Sequence, residues 1–476
     1  MSRGNERAVA RGEGNVDMKN LRTRKGIAAL AVMTMSGLGL AACADDSGDG
    51  GSTEASGTAP GAGQPECAQL EQFGDLTGKE VSVYTSIIAP EDAVHKESYK
   101  VFEDCTGATV AYEGSSEFEA QLVVRVQGGN APDVAYIPQP GLLQTLVRDT
   151  DAVVAAPDPV SENVDEWFGE DWKTYGTVDD TFYAAPLGAN VKSFVWYSPK
   201  MFADNGWEVP QTWDDMLALS DDMAAAGTDP WCAGIESGDA TGWPTTDWLE
   251  DAVLRDAGPD VYDQWVNHEI PFNDPAIVES LDRVGGILKN ADYVNGGIGD
   301  VKSIATTAFQ EGGLPILDGE CGLHRQASFY AAQWPEGTDV SEDGDVFAFY
   351  LPTTSDEFGT PVLGGGEFVA AFSDRTEVQA FQTYLSSDIW ANEKAKATPG
   401  GWVSANTGLE IDNLKSPIDK LSAEILQDPE AIFRFDGSDQ MPGAVGAGSF
   451  WSEMTNWITG ADTQSTLDKI EDSWPS

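Results

Sequence analysis

The sequence predicts an α/β fold, because short runs rich in β-branched residues alternate with stretches of helical periodicity. Val81, Val83 and Thr85 alternate with polar residues in the first run, as one buried face of a strand requires. The alternating segments are strand-like 80–87, helical 97–102, strand-like 109–112, helical 118–128, strand-like 133–137 and helical 142–148. This βαβ order is typical of an open parallel sheet, and a binding site is expected at the strand ends.

A second set of strands and helices begins near residue 194. Phe194–Tyr197 has the composition of a strand, and Thr212 with Asp215 three residues later predicts a capped helix start. Segments 347–353 and 367–372 again favour strands. The run Asp374–Glu377 predicts a capping box, which opens a helix whose inward face is given by three apolar residues: Val378, Phe381 and Leu385. The chain is expected to return to the first sheet here.

The N-terminal segment 1–43 has the pattern of an export signal. Four basic residues lie ahead of the apolar run 26–43, which is short for a membrane-spanning helix and ends in small residues: Lys19, Arg22, Arg24 and Lys25. Its Leu-Ala-Ala-Cys ending resembles the bacterial lipobox, in which the cysteine, here Cys43, carries lipid and becomes the mature N-terminus. Acidic residues before Met18 fit poorly in such a signal, so translation is expected to begin at Met18.

Residues 44–66 predict a flexible linker. They consist of small, polar and acidic residues with proline, and none is a large aliphatic or aromatic residue. A chain of this length and composition spans about 25 Å on average. A lipid on Cys43 would therefore hold the folded protein close to the membrane.

The five cysteines fit an exported protein. If Cys43 carries lipid, four remain for pairing in an oxidising compartment: Cys67, Cys105, Cys232 and Cys321. Three pairings are open, and the one favoured joins Cys67 to Cys105 and Cys232 to Cys321, which keeps each bridge local. A metal site is not expected, because there is no C-x-x-C spacing and the chain has only three histidines: His95, His268 and His324.

The chain is strongly acidic, with 27 Lys and Arg against 79 Asp and Glu and a formal net charge of −52. Such a charge argues against nucleic acid as a partner, because it repels phosphate. The acidity could serve a cationic ligand or give a solvated, salt-tolerant surface. The second interpretation is favoured, since net charge governs solubility more than it defines a site.

Aromatic and acidic residues suggest a carbohydrate site. All fifteen tryptophans lie at or after Trp167, and a glycine-flanked loop after a strand-like run carries Glu236 and Trp243. A sugar ring has apolar C–H faces and a rim of hydroxyls, so its receptor needs flat aromatic surfaces together with polar side chains. The candidate set is Glu236, Trp243, Arg325, Trp402 and Trp451.

Long segments carry a specific resemblance. The segments include GGNAPDVAYIPQPGLL (128–143), NVKSFVWYSPKMF (190–202), WCAGIESGDATGWPTTDW (231–248), LHRQASF (323–329), PVLGGGEFVAAF (361–372) and FRFDGSDQMPGAVGAGSFW (433–451). With them the chain resembles extracellular solute-binding proteins of ABC sugar importers, within the maltose-binding-protein-like group and nearest to its alpha-glucoside-binding branch. No catalytic residue and no cofactor are expected.

The resemblance implies two α/β lobes with a ligand cleft between them, closing about a hinge. Lobe 1 is expected over 67–189 and 346–388, and lobe 2 over 190–345 and 389–476. The resemblance also implies ligand contacts at Ser86, Ser116, Gln139, Pro140, Asn190, Lys192, Glu236, Trp243, Arg325 and Trp451.

The predicted function is a lipid-anchored receptor on the outer face of the bacterial cell membrane. It would bind a carbohydrate, an alpha-glucoside or related oligosaccharide, as a monomer and deliver it to the permease subunits. Two alternatives stay open: a surface-anchored glycoside hydrolase using two carboxylates, or the same receptor role for a polyol, amino sugar or peptide.

Overall fold

Two large β-sheets organise the part of the chain that the structure describes, residues 58–296, 300–354, 357–428 and 431–475. The structure is a computed structural model, and its described residues belong to one compact unit over 56–476. The strands are β1 (Glu80–Thr85), β2 (Thr109–Gly114), β3 (Val134–Ile137), β4 (Thr177–Val178), β5 (Thr181–Phe182), β6 (Ala184–Val191), β7 (Phe194–Tyr197), β8 (Asp229–Cys232), β9 (Val294–Asn295), β10 (Cys321–Arg325), β11 (Phe347–Tyr350), β12 (Pro361–Ala371) and β13 (Ile432–Phe435).

The helices connect and cover these strands. They are α1 (Asp92–Ser98), α2 (Lys100–Thr106), α3 (Phe118–Gln127), α4 (Pro140–Asp149), α5 (Asp158–Trp167), α6 (Glu170–Tyr175), α7 (Pro199–Asn205), α8 (Trp213–Ala226), α9 (Trp243–Asp256), α10 (Pro259–Val266), α11 (Pro275–Leu288), α12 (Thr376–Leu385), α13 (Asp388–Ala397), α14 (Pro417–Gln427), α15 (Gly437–Gln440), α16 (Trp451–Ile458) and α17 (Thr463–Glu471). Among the described residues, no helix combines the length and apolar character that crossing a membrane would require.

The first sheet has the order β13-β12-β3-β1-β2, with β6 also paired to β12. Strand β1 runs parallel to both β2 and β3, which confirms the predicted βαβ order. Strand β12 runs antiparallel to β3 and to β6. The chain therefore returns to the first sheet at β12, as predicted for this segment.

The second sheet has the order β11-β7-β10-β8-β9. Strand β8 runs parallel to both β9 and β10, while β7 is antiparallel to β10 and β11. Buried apolar clusters cover both sheets; Phe102 and Trp390 belong to the cluster at the first sheet, and Trp231 and Trp265 to that at the second. Each sheet thus has its own core, as independent α/β layers require.

The division of the strands between the two sheets does not follow the predicted lobe boundaries. Strand β11, inside the range 346–388 assigned to lobe 1, pairs with β7 of the second sheet. Helix α13 and strand β13, inside 389–476, lie with the first sheet, where Trp390 packs and β13 pairs with β12. The chain crosses between the sheets more often than the periodicity of single segments can reveal.

One predicted helix cap is confirmed and one is wrong. Thr212 Oγ1 accepts the backbone N–H of Asp215, and the Asp215 side chain accepts that of Thr212, so α8 begins with a capping box. The predicted box at Asp374 is absent: Arg375 is the N-cap of α12 and has no side-chain cap hydrogen bond. The Arg375 side chain instead forms ion pairs with Asp133 and Glu377.

The end of the predicted linker 44–66 is packed rather than free. Ala59 is buried, and the Gly61 N–H donates to the carbonyl of Cys105 at 3.1 Å. A short 3₁₀ helix follows at Pro65–Cys67. The chain is fixed here because Cys67 is bonded to Cys105. The predicted signal 1–43, its Cys43 and most of the linker lie outside the described residues.

Both disulfides follow the favoured pairing. Cys67 is joined to Cys105 in α2, with their Cα atoms 5.3 Å apart. Cys232 at the end of β8 is joined to Cys321 at the start of β10, with a Cα separation of 5.8 Å. Each bridge therefore connects elements within one sheet region.

Removing the first disulfide is expected to lower stability without changing binding. The bridge closes a loop of 38 residues, so Cys67→Ser with Cys105→Ser should lower the free energy of unfolding by about 2–4 kcal/mol. Urea unfolding checks this, and ligand affinity should not change because neither cysteine lines the binding cavity described below. Equal urea midpoints for the variant and the wild type would contradict the expectation.

Candidate functional site

A cavity of about 370 Å³ lies where strand ends of both sheets meet. From the first sheet, Ser86 follows β1, Ser116 follows β2 and Gln139 follows β3. From the second sheet, Glu236 follows β8 and Phe329 follows β10. The cavity thus occupies the position expected for a ligand in open α/β sheets, beyond the carboxyl ends of parallel strands.

Several buried polar atoms of the cavity wall have no partner within the described residues. They are His95 Nδ1, Gln139 Oε1, Asn190 Oδ1 and Trp402 Nε1. Gln139 is 4 % exposed, and its Nε2 donates to Glu119 Oε1 at 3.2 Å, which leaves the carbonyl oxygen free. Because an unsatisfied buried polar atom costs about 1–3 kcal/mol, these atoms indicate groups that a bound polar ligand completes.

One side of the cavity is aromatic. Trp243, the first residue of α9, contacts Phe309 with ring centroids 5.2 Å apart and Phe329 at 6.0 Å. Trp451, the first residue of α16, is 3 % exposed, and its Nε1 donates to Ser438 Oγ at 3.4 Å. The two indoles therefore differ in their surroundings. Trp243 is half-buried and faces the cavity, whereas Trp451 is also part of the packed interior.

A buried ion network lies beside this aromatic side. Lys192 Nζ is 3.0 Å from Asp247 Oδ1 and 2.5 Å from Asp436 Oδ2. Burial raises the pKa of Asp247 to about 7. Burial would also raise that of Asp436, but the Lys192 ammonium outweighs it and lowers the Asp436 pKa to about 2. Lys192 is therefore held as a cation against the cavity wall.

The same network contains three carboxylates close enough to share a cation. Asp247, Glu250 and Asp436 each place an oxygen within 4.8 Å of the others. Lys192 already contacts two of them, and Glu250 accepts two backbone N–H groups at the start of α15. The positive charge that a metal would bring is thus supplied by the chain itself.

Elsewhere along the cavity, acidic residues lie close to a second buried lysine, Lys394. Glu91 Oε1 accepts the Gln333 Nε2–H at 2.7 Å. Burial, followed by the neighbouring Glu367 carboxylate, raises the pKa of Glu91 to about 7. Burial also lowers the pKa of Lys394 to about 7, although Glu91 and Glu367 act against that shift.

The raised pKa of Glu91 predicts a pH-dependent stability. The folded state keeps the Glu91 proton to a higher pH than the unfolded chain does, so this residue's contribution to stability falls as pH rises from about 4.5 to 7. The free energy of unfolding of Glu91→Gln relative to the wild type should therefore increase by about 1–3 kcal/mol from pH 5 to pH 8. Urea unfolding at both pH values measures it, with the exposed Glu97→Gln as the control. If the stability difference between Glu91→Gln and the wild type were the same at pH 5 and pH 8, this expectation would be contradicted.

The structure brings together most of the predicted ligand-contact residues. The residues that line the cavity are Ser86, Ser116, Gln139, Asn190, Lys192, Glu236, Trp243, Trp402 and Trp451. The Glu236 carboxylate is also used locally, since its Oε1 accepts the N–H of Gly238 at 2.9 Å. Strand ends that are distant in sequence meet because parallel strands share one edge of each sheet.

Two predicted contact residues do not line the cavity. Arg325 is 4 % exposed, and its Nη2 donates to Asp251 Oδ2 at 2.6 Å, which turns the guanidinium toward α9 and away from the cavity. Pro140 is the first residue of α4 and packs inward, while Pro138, two residues earlier, lines the cavity. The Arg325 guanidinium is thus paired with Asp251, which lies 74 positions earlier in the chain.

Other cavity residues were not predicted. They are chiefly Glu91, His95, Glu119, Phe309, Phe329, Gln333 and Glu367. Glu367 stands in the segment GGGEF, where an acidic residue interrupts an otherwise apolar strand; that pattern could have marked it. The others lie in segments with no distinguishing composition.

Two sheets with separate cores and a cavity at their strand ends define a two-lobed solute receptor of the maltose-binding-protein-like class. The sequence profile of the bacterial extracellular solute-binding protein family matches residues 84–391. The chain belongs to this family.

Relatives and solved structures agree with this assignment. The chain is 40 % identical over 405 residues to the osmoprotective compounds-binding protein GgtB of Synechocystis sp., covering 84 % of this chain and 94 % of the relative. It is 36 % identical over 431 residues to the alpha-glucosides-binding periplasmic protein AglE of Rhizobium meliloti, covering 86 % and 90 %.

In structure, the chain is similar to the bacterial solute receptor AcbH, with a TM-score of 0.69, 18 % identity, and coverage of 83 % of this chain and 98 % of that one. It is also similar to the GacH receptor of Streptomyces glaucescens, with a TM-score of 0.63, 13 % identity and coverage of 84 % and 97 %. At such identities the likeness concerns the fold. The protein is a binding protein of a transporter rather than an enzyme, on the extracellular or periplasmic side.

Proposed function

We propose that this protein captures an alpha-glucoside in the cavity and delivers it to the permease of an ABC sugar importer. The observation that carries the proposal is the wall of unpartnered polar atoms at Gln139, Asn190 and Trp402, facing an aromatic surface at Trp243. The relatives GgtB and AglE, named for osmoprotective compounds and alpha-glucosides, support this ligand class.

The two kinds of wall match the two kinds of surface on a sugar ring. The Trp243 indole offers a flat face for the C–H groups of a pyranose. Carboxylates and amide oxygens of the cavity wall accept hydrogen bonds from its hydroxyls, as Glu119 and Glu367 are placed to do. A ligand without hydroxyls would leave these buried groups unpaired, and would be rejected for that reason.

The size of the cavity favours a short ligand. Its volume of about 370 Å³ lies near the lower end of the range of about 300–1,000 Å³ typical of small-molecule pockets. A long glucan would have to leave the cavity at one end. We therefore expect a disaccharide to bind more tightly than a tetrasaccharide.

The regions of the first and second sheets, which we take as the two lobes, contact each other across the cavity. Gln333, which follows β10 of the second sheet, donates to Glu91, which follows β1 of the first sheet. At a second point, a Cβ atom on Gly238 would lie 2.6 Å from the Ser116 carbonyl oxygen, so the two loops are in close contact. Contacts of this kind would hold a closed receptor around its ligand, which is the state that a permease distinguishes.

Calorimetric titration tests the proposed ligand class. The wild-type protein is titrated with maltose, trehalose, sucrose and maltotetraose, with cellobiose as the β-linked control. We expect binding of at least one alpha-linked disaccharide at micromolar concentration and weaker binding of maltotetraose and cellobiose. If no alpha-glucoside bound at millimolar concentration, which corresponds to a binding free energy near −4 kcal/mol, the assignment would be refuted.

We also propose that Cys43 carries a lipid that keeps the receptor at the membrane, on the strength of the Leu-Ala-Ala-Cys motif. Cys43→Ser should move the protein from the membrane fraction of the producing bacterium to the soluble or secreted fraction. Fractionation and immunoblotting measure this. The Cys67→Ser variant is the control, since it also removes a cysteine but should stay with the membrane; an unchanged distribution for Cys43→Ser would refute the anchor.

A further inference from the structure

Two side chains of the cavity wall converge on one point beside Gly188. A Cβ atom on Gly188 would lie 2.5 Å from Glu367 Oε2 and 3.2 Å from Trp402 Nε1. Trp402 is 9 % exposed, and its indole N–H has no acceptor among the described residues. A buried hydrogen-bond donor and a carboxylate thus face the same place, and both line the ligand cavity.

Trp402 is held so that it cannot turn to find another partner. Its ring packs edge-on against Trp390, with ring centroids 5.5 Å apart, and the Lys394 ammonium lies 5.1 Å from its centroid. The backbone is fixed as well, because the N–H of Gly401 donates to both carboxylate oxygens of Asp419 at 3.0 Å. The free N–H is therefore a built feature of the wall.

Glu367 lies opposite a bulge in the neighbouring strand β6. In the pairing of β12 with β6, Gly366 lies opposite Ala189 but Phe368 lies opposite Pro186, so two residues of β6, one of them Gly188, lie opposite Glu367 alone. Such bulges change the direction of a side chain and recur beside functional sites. Because Gly188 has no side chain, the Glu367 carboxylate and the Trp402 indole can both lie close to its backbone.

We propose that Trp402 and Glu367 together bind one hydroxyl group of the ligand, and that Gly188 gives both side chains the room to lie side by side. The indole N–H donates to the hydroxyl oxygen, and the hydroxyl proton is donated to the Glu367 carboxylate. Only a group that both accepts and donates satisfies the pair, so a hydrogen or a methoxy group at that ligand position fails. This inference rests on the proposed alpha-glucoside function. It adds that the ligand must carry a hydroxyl group where it contacts Trp402 and Glu367.

Binding of deoxy sugars to three proteins tests the pair. Methyl α-D-glucopyranoside and its 2-, 3-, 4- and 6-deoxy analogues are titrated against the wild type, Trp402→Phe and Glu367→Met. In the wild type, one deoxy analogue should bind roughly 10- to 100-fold more weakly than the parent, the loss expected for a hydrogen bond to a charged group. In Glu367→Met the penalty at that same position should fall below about 3-fold, and in Trp402→Phe it should fall by a smaller factor, because the carboxylate still accepts the hydroxyl proton.

The outcomes separate this inference from the proposed function. If the wild type binds the parent sugar but every deoxy penalty persists in both variants, or if the two variants remove penalties at different positions, the pair is refuted and the function stands. If the wild type binds no alpha-glucoside, the function and the pair fail together.

Gly188→Ala provides a second test that leaves both side chains in place. The added methyl group would displace the Glu367 carboxylate, so affinity for the parent sugar should fall at least about 10-fold, with the same deoxy penalty lost. Gly286→Ala in α11 is the matched control, because a Cβ atom there meets nothing within 4 Å. Wild-type affinity in a folded Gly188→Ala protein, judged by circular dichroism, would count against the proposal.

Discussion

Trp243→Ala is expected to weaken sugar binding by about 2–4 kcal/mol, or roughly 30- to 1,000-fold. Trp243 is half-buried, begins α9 directly after Gly242, and supports a wall formed with Phe309 and Phe329. Its loss removes a flat aromatic surface available to a sugar ring. Because the ring faces the cavity, the cost should fall on binding more than on folding.

Calorimetry with the best alpha-glucoside measures this effect. Trp474→Ala is the matched control: Trp474 stacks on His268 with ring centroids 4.0 Å apart and does not line the cavity. Equal affinities for the two variants would show that Trp243 is a packing residue.

Trp451→Ala is a different experiment. Trp451 is 3 % exposed and packs within the interior, so its removal should lower both affinity and stability. It is therefore less suitable than Trp243 for testing the aromatic wall alone.

Lys192→Met should destabilise the fold by about 3–5 kcal/mol. The substitution leaves Asp247 and Asp436 buried without the ammonium that lies 3.0 Å and 2.5 Å from them. Both carboxyls are at most 1 % exposed, so water cannot replace the lost cation. The carboxyl groups would have to take up protons, and stability should recover partly at low pH.

Urea unfolding at pH 5 and pH 8 measures this loss. Lys200→Met is the matched control, because Lys200 pairs with Asp345 at 2.6 Å on the surface, where such pairs contribute less than about 1 kcal/mol. In the double variant Lys192→Met with Asp247→Asn, one stranded charge is gone and part of the stability should return. A Lys192→Met protein as stable as the Lys200→Met protein would contradict the role given to this network.

Much of the fold could be predicted from local pattern. Alternation at Val81, Val83 and Thr85 marked β1, and the inward face Val378, Phe381 and Leu385 marked α12; all six are buried. These segments were predictable because the period of apolar residues is a local property of helix and strand.

The candidate site was less predictable, because its residues depend on distant partners. Arg325 was expected at the ligand, yet Asp251, 74 positions earlier, binds its guanidinium. Glu367 was not expected there; it lies where the pairing between β12 and β6 shifts register. The ion pair leaves no signal in a single segment, and the GGGEF segment by itself does not show that Glu367 lines the cavity.

The sequence by itself determined the α/β class, the favoured cysteine pairing and the resemblance to a solute-binding family, since periodicity, spacing and long matching segments are contained in the chain order. Only the tertiary structure decided which polar groups remain without partners. The Arg325 guanidinium is already paired with Asp251, whereas Trp402 Nε1 has no partner among the described residues. A side chain is available to a ligand only after its own neighbours have been satisfied, and those neighbours are set by packing between sheets and helices.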